Sequence, residues 1–460
     1  MYLKKLKIDK AMIITILVLA WPTMMEQVMS TAVQYIDTAM VGSLGTQATA
    51  AVGSTTTVNW LVNSTISALG IGFLSYIARE MGAGHHHKVV DIVKQAVMIV
   101  LSVGIFTTIL TLGLSGIIPV WMQVDESILT LASTYFFVLY IPMLPRCAMI
   151  IFSAILRAAK DSKTPMKIGI LINVINVVLN YILIYPCHQI NIFGTSIPMY
   201  GANLGVVGAA LASAIAFSVG GVLTTIALWQ NEILSPRKMQ YRFDFDILKP
   251  CMRVALPNML QRFATSLGYV AFASMINSLG DISTAAHTIA NTVESAFYIP
   301  GYGMQSAAAI LAGNAYGEKN ETKLKTLSRM MIPIEIILMI LSGVALFMSA
   351  PWLVSLFSND AQVMSLGTIV LRMVALSEPF YGYYIIVEGM MLGVGKTKRP
   401  FFYNVLGMWG IRIVGTFICT QMLGMGLISA WACMIGHNLL LFGLFYWSNR
   451  SKNWMRQEVA

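Results

Sequence analysis

The sequence predicts an all-α polytopic membrane protein: twelve transmembrane helices in two pseudo-symmetric six-helix bundles, with both termini cytoplasmic. Three observations predict it: a composition too apolar for water, loops that alternate between basic and base-free, and an internal repeat. Of 460 residues, 57% are hydrophobic and only 11% charged, with a mean hydropathy of +0.71. A soluble domain carries about 25% charged residues, so this chain cannot cover a water-facing surface. The same numbers exclude a disordered chain, collagen, a coiled coil and a disulfide scaffold. The five cysteines (Cys147, Cys187, Cys251, Cys419 and Cys433) are scattered, without a CxxC pair, and give neither a metal motif nor a disulfide framework.

A helix needs about 20 apolar residues to cross the bilayer. Twelve such stretches are expected at about 11–40, 48–78, 89–118, 128–156, 166–186, 202–230, 251–279, 284–313, 330–351, 362–393, 400–420 and 425–448. Several are long enough to require tilt or kinks. The first follows Lys4, Lys5, Lys7 and Lys10 and is too long for a signal-peptide core, so it reads as an uncleaved anchor.

The loops fix the orientation. The N-terminus, the loops after spans 2, 4, 6, 8 and 10, and the C-terminus together hold 26 of the 30 basic residues. The loops after spans 1, 3, 5, 7, 9 and 11 hold none, and their only charges are Asp125, Glu126, Asp281 and Asp360. Cytoplasmic loops are the ones enriched in Lys and Arg. The net charge of +10 is therefore a record of topology, not a nucleic-acid surface.

The repeat appears when the chain is shifted by 235. Ala20 and Pro22 meet Ala255 and Pro257, Ser43-Leu44-Gly45 meets Ser278-Leu279-Gly280, and Thr49-Ala50-Ala51 meets Thr284-Ala285-Ala286. With Met24/Met259, Met40/Met275, Thr57-Val58/Thr292-Val293 and Gly82/Gly317, this makes 13 identities over residues 20–84. Two parallel six-span repeats imply an N-terminal lobe at 1–230, a polar linker at 231–250 and a C-terminal lobe at 251–460. Such an architecture places a cavity near the midplane and alternates access by rocking, so the repeat points to a transporter. There is no GxxxxGK[ST] run, hence no ATP motor of that type. No catalytic cluster marks an enzyme, and no resident cofactor is implied.

Intramembrane ionisable groups are costly and are functional candidates by default. Here they are Glu26, Asp37, Glu294, Glu335, Glu378 and Glu388, with Arg146, Arg262, Arg372 and Arg412. The repeat ranks them, because positions that differ between halves are free to carry chemistry. Asp37 meets Phe272, Glu294 meets Asn59, and Glu26 meets Gln261. Asp37 stands on a stretch rich in small polar groups that includes Gln34 and Tyr35. Asn173, Asn176 and Asn180 share one face of span 5. Amide oxygens plus a carboxylate suit a hard cation such as Na⁺, and a buried carboxylate also suits a proton. Glu26 and Arg262 read either as a structural pair or as lobe anchors. His85-His86-His87 reads as a solvated loop.

The span 1 segment AWPTMMEQVMSTAVQYIDTAMVGSLG, LRAAKDSKTP after span 4, NVVLNYILIY and GANLGVVGAALA around span 5, and AAHTIANTVESAFYIPGYG in span 8 resemble the multidrug and toxic compound extrusion (MATE) family, in its prokaryotic form. The resemblance covers both halves. It implies a V-shaped pair of six-helix bundles exporting organic cations and amphipathic drugs across the cytoplasmic membrane in exchange for Na⁺ or H⁺. It further implies a coupling-ion site at Asp37 with Asn176 and Asn180, which would be the metal ligands if sodium is the ion. Glu294 and Glu378 would meet the cationic substrate in the C-terminal lobe, and Glu26, Gln34, Tyr35 and Gln261 are secondary candidates. The chain departs from both prokaryotic branches: a DinF-like aspartate is replaced by Asn180, and a NorM-like span 7 glutamate by Thr265. The expected partners are small cationic molecules and membrane lipid, with no nucleic acid, and the expected state is monomeric. The rival reading is a flippase for lipid-linked oligosaccharides. Its pyrophosphate cargo calls for several arginines, whereas the spans hold six acids against four bases.

Overall fold

The computed structural model describes residues 10–122, 124–192, 195–237 and 242–456. Lys4, Lys5 and Lys7 of the basic N-terminus and Lys238 of the linker lie outside the described residues. The first half runs α1 (Lys10–Gly42), α2 (Thr46–Gly82), α3 (His86–Gly113), a one-turn α4 (Ile118–Trp121), α5 (Glu126–Tyr140), α6 (Met143–Ala158), α7 (Lys163–Ile184), the strands β1 (Pro186–Ile192) and β2 (Thr195–Ala202), and α8 (Gly205–Gln230). The second half runs α9 (Phe245–Asn277), α10 (Asp281–Phe297), α11 (Ile299–Gly317), α12 (Glu321–Ser355), α13 (Ala361–Ala375), α14 (Glu378–Gly393), α15 (Lys398–Val405), α16 (Val414–Thr416) and α17 (Leu427–Ser451).

Among the described residues, eight helical segments are long and apolar enough to cross a membrane: α1, α2, α3, α7, α8, α12, Lys398–Met422 and α17. Two bent pairs, α5 with α6 and α13 with α14, raise the number to ten. The twelvefold path is completed by α9 and by α10 followed by α11. Those segments are less apolar because they carry Lys249, Arg253, Arg262, His287 and Glu294. Three spans expected as continuous are broken. The break before α6 is at Pro142, and α11 and α14 each carry a proline in the first turn, Pro300 and Pro379. Proline lacks the N–H that would continue a helix but fits its first turn.

The backbone repeats more faithfully than the sequence. The two bent pairs start at Glu126 and Ala361, resume at Met143 and Glu378, and bend by 52° and 51°. Gly45 and Gly280 both take positive φ, at 107° and 97°. In each turn the same bonds form: Ser43 Oγ donates to Met40 O (2.6 Å) and Ser278 Oγ to Met275 O (2.7 Å). Thr49 and Thr284 donate to the carbonyls of Gly45 and Gly280 at 3.1 and 3.0 Å. The shared SLG and Thr are thus what this turn requires. Elsewhere the turn persists without the residue: Gly84 pairs with Lys319, and Lys160 with Gly395, all at positive φ.

Two features break the repeat. Between α7 and α8 the chain forms an antiparallel hairpin, pairing Pro186 with Ala202 and Ile192 with Thr195, where the span pattern predicts only a loop. The second is in span 11, where Leu406–Ile413 and Phe417–Met422 wind as π-helix. Arg412 lies in the first of these.

By contacts the chain divides into two compact units, one of Met1–Met24, Leu74–His85 and Pro250–Ala460, the other of Met25–Phe73 and His86–Lys249. A division at 231–250 alone does not describe this, because the first part of α1 and the end of α2 group with the C-terminal half. Within that first unit, glycine makes the closest approach. A Cβ on Gly82 would meet the Asn314 carbonyl oxygen at 2.0 Å, and one on Gly317 the Arg79 carbonyl oxygen at 1.9 Å. These repeat-related glycines let α2 and α11 touch backbone to backbone, as small residues do in membrane helices. In the second unit, Val41, Ala48, Ile184, Val206 and Ala209 pack α1, α2, α7 and α8 together. Apolar side chains such as Phe106 and Ile109 on α3 and Val174 and Val178 on α7 point outward, 50–69% exposed, as lipid demands and water forbids.

Candidate functional site

In the second unit, α1, α2, α5, α7 and α8 enclose a cavity of about 330 Å³. Asp37, Gln34 and Thr38 come from α1, Thr49, Thr56 and Asn59 from α2, Tyr135 from α5, Asn180 from α7, and Ser213 and Phe217 from α8. The polar wall arises because helical spacing stacks Gln34 with Thr38 on one face of α1, while on α7 it sets Asn176 beside Asn180, the one of the two that lines the cavity.

Asn180 Nδ2 donates to Asp37 Oδ1 at 2.5 Å and to Asn176 Oδ1 at 3.2 Å. One end of the Asn176 amide lies 3.0 and 3.1 Å from the two Asp37 oxygens, and its other end 3.1 Å from Ser213 Oγ. The amide has two orientations with different chemistry. With nitrogen toward Asp37 it donates to both oxygens of a charged carboxylate. With oxygen toward Asp37, amide and carboxylate oxygens crowd together, and only a proton or a cation among them relieves the repulsion. Asn180 Oδ1, buried and without a partner among the described residues, is a further acceptor. The three sequence-chosen residues therefore meet in one place. Asn173, of the same helical face, does not line the cavity.

The secondary candidates scatter. Gln34 lines the cavity; Tyr35 does not, and is exposed. Glu26 is held by Arg157, whose Nη1 donates to its Oε2 at 3.1 Å, and is not paired with Arg262. Arg262 Nε instead donates to Asn258 Oδ1 at 3.3 Å. Gln261 donates to Glu388 at 2.9 Å; Asn404 and Gln305 add bonds of 2.9 and 3.2 Å. Glu388 is thus enclosed by three amides.

In the first unit, Glu294 is buried and accepts a short bond from the Tyr298 hydroxyl. Tyr298 stacks on Tyr381, with ring centroids 4.2 Å apart. Glu378 is fully buried at the bend between α13 and α14, and neither of its oxygens has a partner among the described residues. Glu335 on α12 is in the same condition. Only the family resemblance pairs Glu294 with Glu378, and by sequence Glu335 and Glu388 are alike, each an acid in an apolar span. Structurally those two are opposites, and no local pattern distinguishes them. Sequence reasoning also gave no place to Tyr135, Ser213 or the surroundings of Arg146.

A fold of parallel six-helix repeats with a polar cavity among its helices defines a membrane transporter. The MatE family profile matches residues 22–182 and 257–418, one match per repeat and more than half of the chain, and the chain belongs to that family. It is 27% identical over 417 residues to the probable multidrug resistance protein NorM of Thermotoga maritima, covering 91% of this chain and 88% of that protein. To the probable multidrug resistance protein YoeA of Bacillus subtilis it is 22% identical over 448 residues, covering 93% of each. Among solved structures it resembles a MOP superfamily transporter from Pyrococcus furiosus and an outward-facing multidrug resistance MATE family transporter. Each shows 23% identity, a TM-score of 0.87 and coverage of 96% of both chains. At that identity these two support the fold.

Proposed function

We propose that the protein is a secondary active multidrug antiporter of the cytoplasmic membrane, exporting organic cations and amphipathic drugs in exchange for Na⁺ or H⁺. The coupling ion binds at Asp37, with Asn176 and Asn180 completing the site. The observation that carries this reading is the meeting of Asp37, on the wall of a cavity among the helices, with the amides of Asn176 and Asn180, the second of which shares that wall. A loaded Asp37 favours the Asn176 oxygen toward it and an empty one the nitrogen, so loading changes the packing of α1 against α7. Differential ion affinity for two such arrangements is what drives an exchange cycle. Glu294 and Glu378 offer a cationic substrate buried negative charge in the C-terminal half, framed by Tyr298 and Tyr381; cations bind well over aromatic faces. The names of the relatives support the drug class, and the basic loops support cytoplasmic termini.

The test is efflux of a fluorescent lipophilic cation from proteoliposomes under a Na⁺ gradient and, separately, a proton gradient. One gradient drives efflux in the wild type, and Asp37→Asn loses at least about tenfold of it while remaining folded, since one charge-assisted contact is worth about 1.5–3 kcal/mol. Folded wild-type protein that moves nothing under either gradient overturns the reading and favours lipid-linked cargo.

A further inference from the structure

On α12, Ile337, Leu341, Val344, Met348 and Trp352 form an exposed stripe. A face so apolar meets lipid chains. Trp352 stands near the end of α12 that the loop charges place outside, where tryptophan marks the boundary between membrane and water. Beside the stripe runs a groove of about 340 Å³ with an apolar lining. Ile340, Val344 and Phe347 of α12 form one side; Ala375, Leu376 and Pro379, at the break between α13 and α14, form the other. From Ile340 to Phe347 the groove extends about 10 Å along the helix, and Phe347 lies about 7.5 Å below Trp352.

A cation stands at the outer end. Arg372 lies one turn before Ala375 and Leu376 on α13, with its guanidinium 5.2 Å from the centroid of the Phe347 ring. Nε donates to the Phe347 carbonyl oxygen at 3.4 Å. That oxygen is free to accept because the residue four positions on is Pro351, which has no N–H. A wall of the groove thus holds the side chain in place. Arg372 is exposed, and neither Nη1 nor Nη2 has a partner among the described residues. The repeat shows that the fold does not need this charge. Phe137 occupies the same position on the bent pair of the first half and is exposed too. An unpaired guanidinium on a lipid-facing surface is costly and calls for an anion; the groove beneath it calls for an apolar chain.

We propose that this groove binds a phospholipid with a net anionic headgroup from the outer leaflet, its phosphate on Arg372 and one acyl chain between Phe347 and Ile340. Nη1 and Nη2 end the fork side by side and reach the two non-bridging oxygens of one phosphate. Head outward and chain toward the midplane is the direction that a lipid of that leaflet takes. The same charge repels a cationic drug, which separates this site from the acids at Glu294 and Glu378. Neither a drug nor a coupling ion takes part, so the proposal stands or falls apart from the antiport reading.

The test titrates delipidated full-length protein in detergent with dioleoylphosphatidylglycerol or dioleoylphosphatidylcholine and counts the retained lipids by native mass spectrometry. The wild type is expected to hold one phosphatidylglycerol about tenfold more tightly than phosphatidylcholine. Arg372→Phe, which copies the first half, is expected to lose that preference. Val344→Trp fills the groove without altering charge and is expected to lose the tightly held lipid altogether. Both side chains face outward, so neither change disturbs the packed interior. Glycerophosphoglycerol, the headgroup without chains, is expected not to displace the lipid. Equal retention of the two lipids by the wild type, or a preference unchanged in Arg372→Phe, overturns the site. A lipid lost from Arg372→Phe but kept by Val344→Trp, or displaced by glycerophosphoglycerol, shows a bare anion contact on the surface and overturns it equally.

Discussion

Glu378 and Glu388 share α14 and are held in opposite ways. Three amides donate to Glu388, so Glu388→Met leaves Gln261 and Gln305 without that acceptor and Asn404 with the Pro400 carbonyl. Orphaned buried donors cost about 1–3 kcal/mol each, and a loss of roughly 3 kcal/mol is expected. Glu378 accepts nothing among the described residues, so Glu378→Met is expected to be neutral or stabilising, as when buried charge gives way to apolar volume. Thermal unfolding of the two purified variants measures the difference; equal losses would return Glu378 to a structural role. Asp37, Asn176 and Asn180 were legible in the sequence because a carboxylate and an i, i+4 amide pair stand out against apolar spans. Glu335 was not separable from Glu388, because each is one acid in an apolar helix and only their neighbours differ.

At the level of elements, two kinds of glycine do different work. Gly45 turns the chain at φ 107° with open space around it, so Gly45→Ala strains only the backbone and costs about 1–2 kcal/mol. Gly82 and Gly317 are ordinary helical residues whose missing Cβ makes room for backbone at 2.0 and 1.9 Å. Either Gly→Val is expected to cost about 3 kcal/mol or to force α2 and α11 apart, read as lost yield of folded protein and a lower Tm. The identity of Gly82 with Gly317 was visible as part of the repeat; that they approach each other's helices was not, because a close contact across α2 and α11 has no local sequence signature. The breaks at Pro142, Pro300 and Pro379 were written in the chain, but a window of apolar residues reads across them. The β1–β2 hairpin was missed for a related reason: a short strand pair in an exterior loop is hidden beneath the much stronger signal of the flanking helices.

For the whole molecule, the ladder of basic loops predicts which ends face the cytoplasm. Cys187, exposed on β1 of the hairpin, is a native reporter. An impermeant maleimide is expected to label it in intact cells, whereas a cysteine placed at Ser451 in a Cys187→Ser background should react only after permeabilisation. Labelling of the latter in sealed cells would reverse the orientation. By itself the sequence determined the class of the molecule and its repeat, and it singled out Asp37, which the structure places on a cavity wall. Those follow from solvent, since a bilayer dictates composition, span length and loop charge residue by residue. Only the tertiary structure decided which buried charges are compensated. Compensation depends on partners from other helices, such as Arg157 for Glu26 and the amides around Glu388. Electrostatic energy within a membrane is set by what lies within a few ångströms, and helix packing, not sequence distance, brings those groups together.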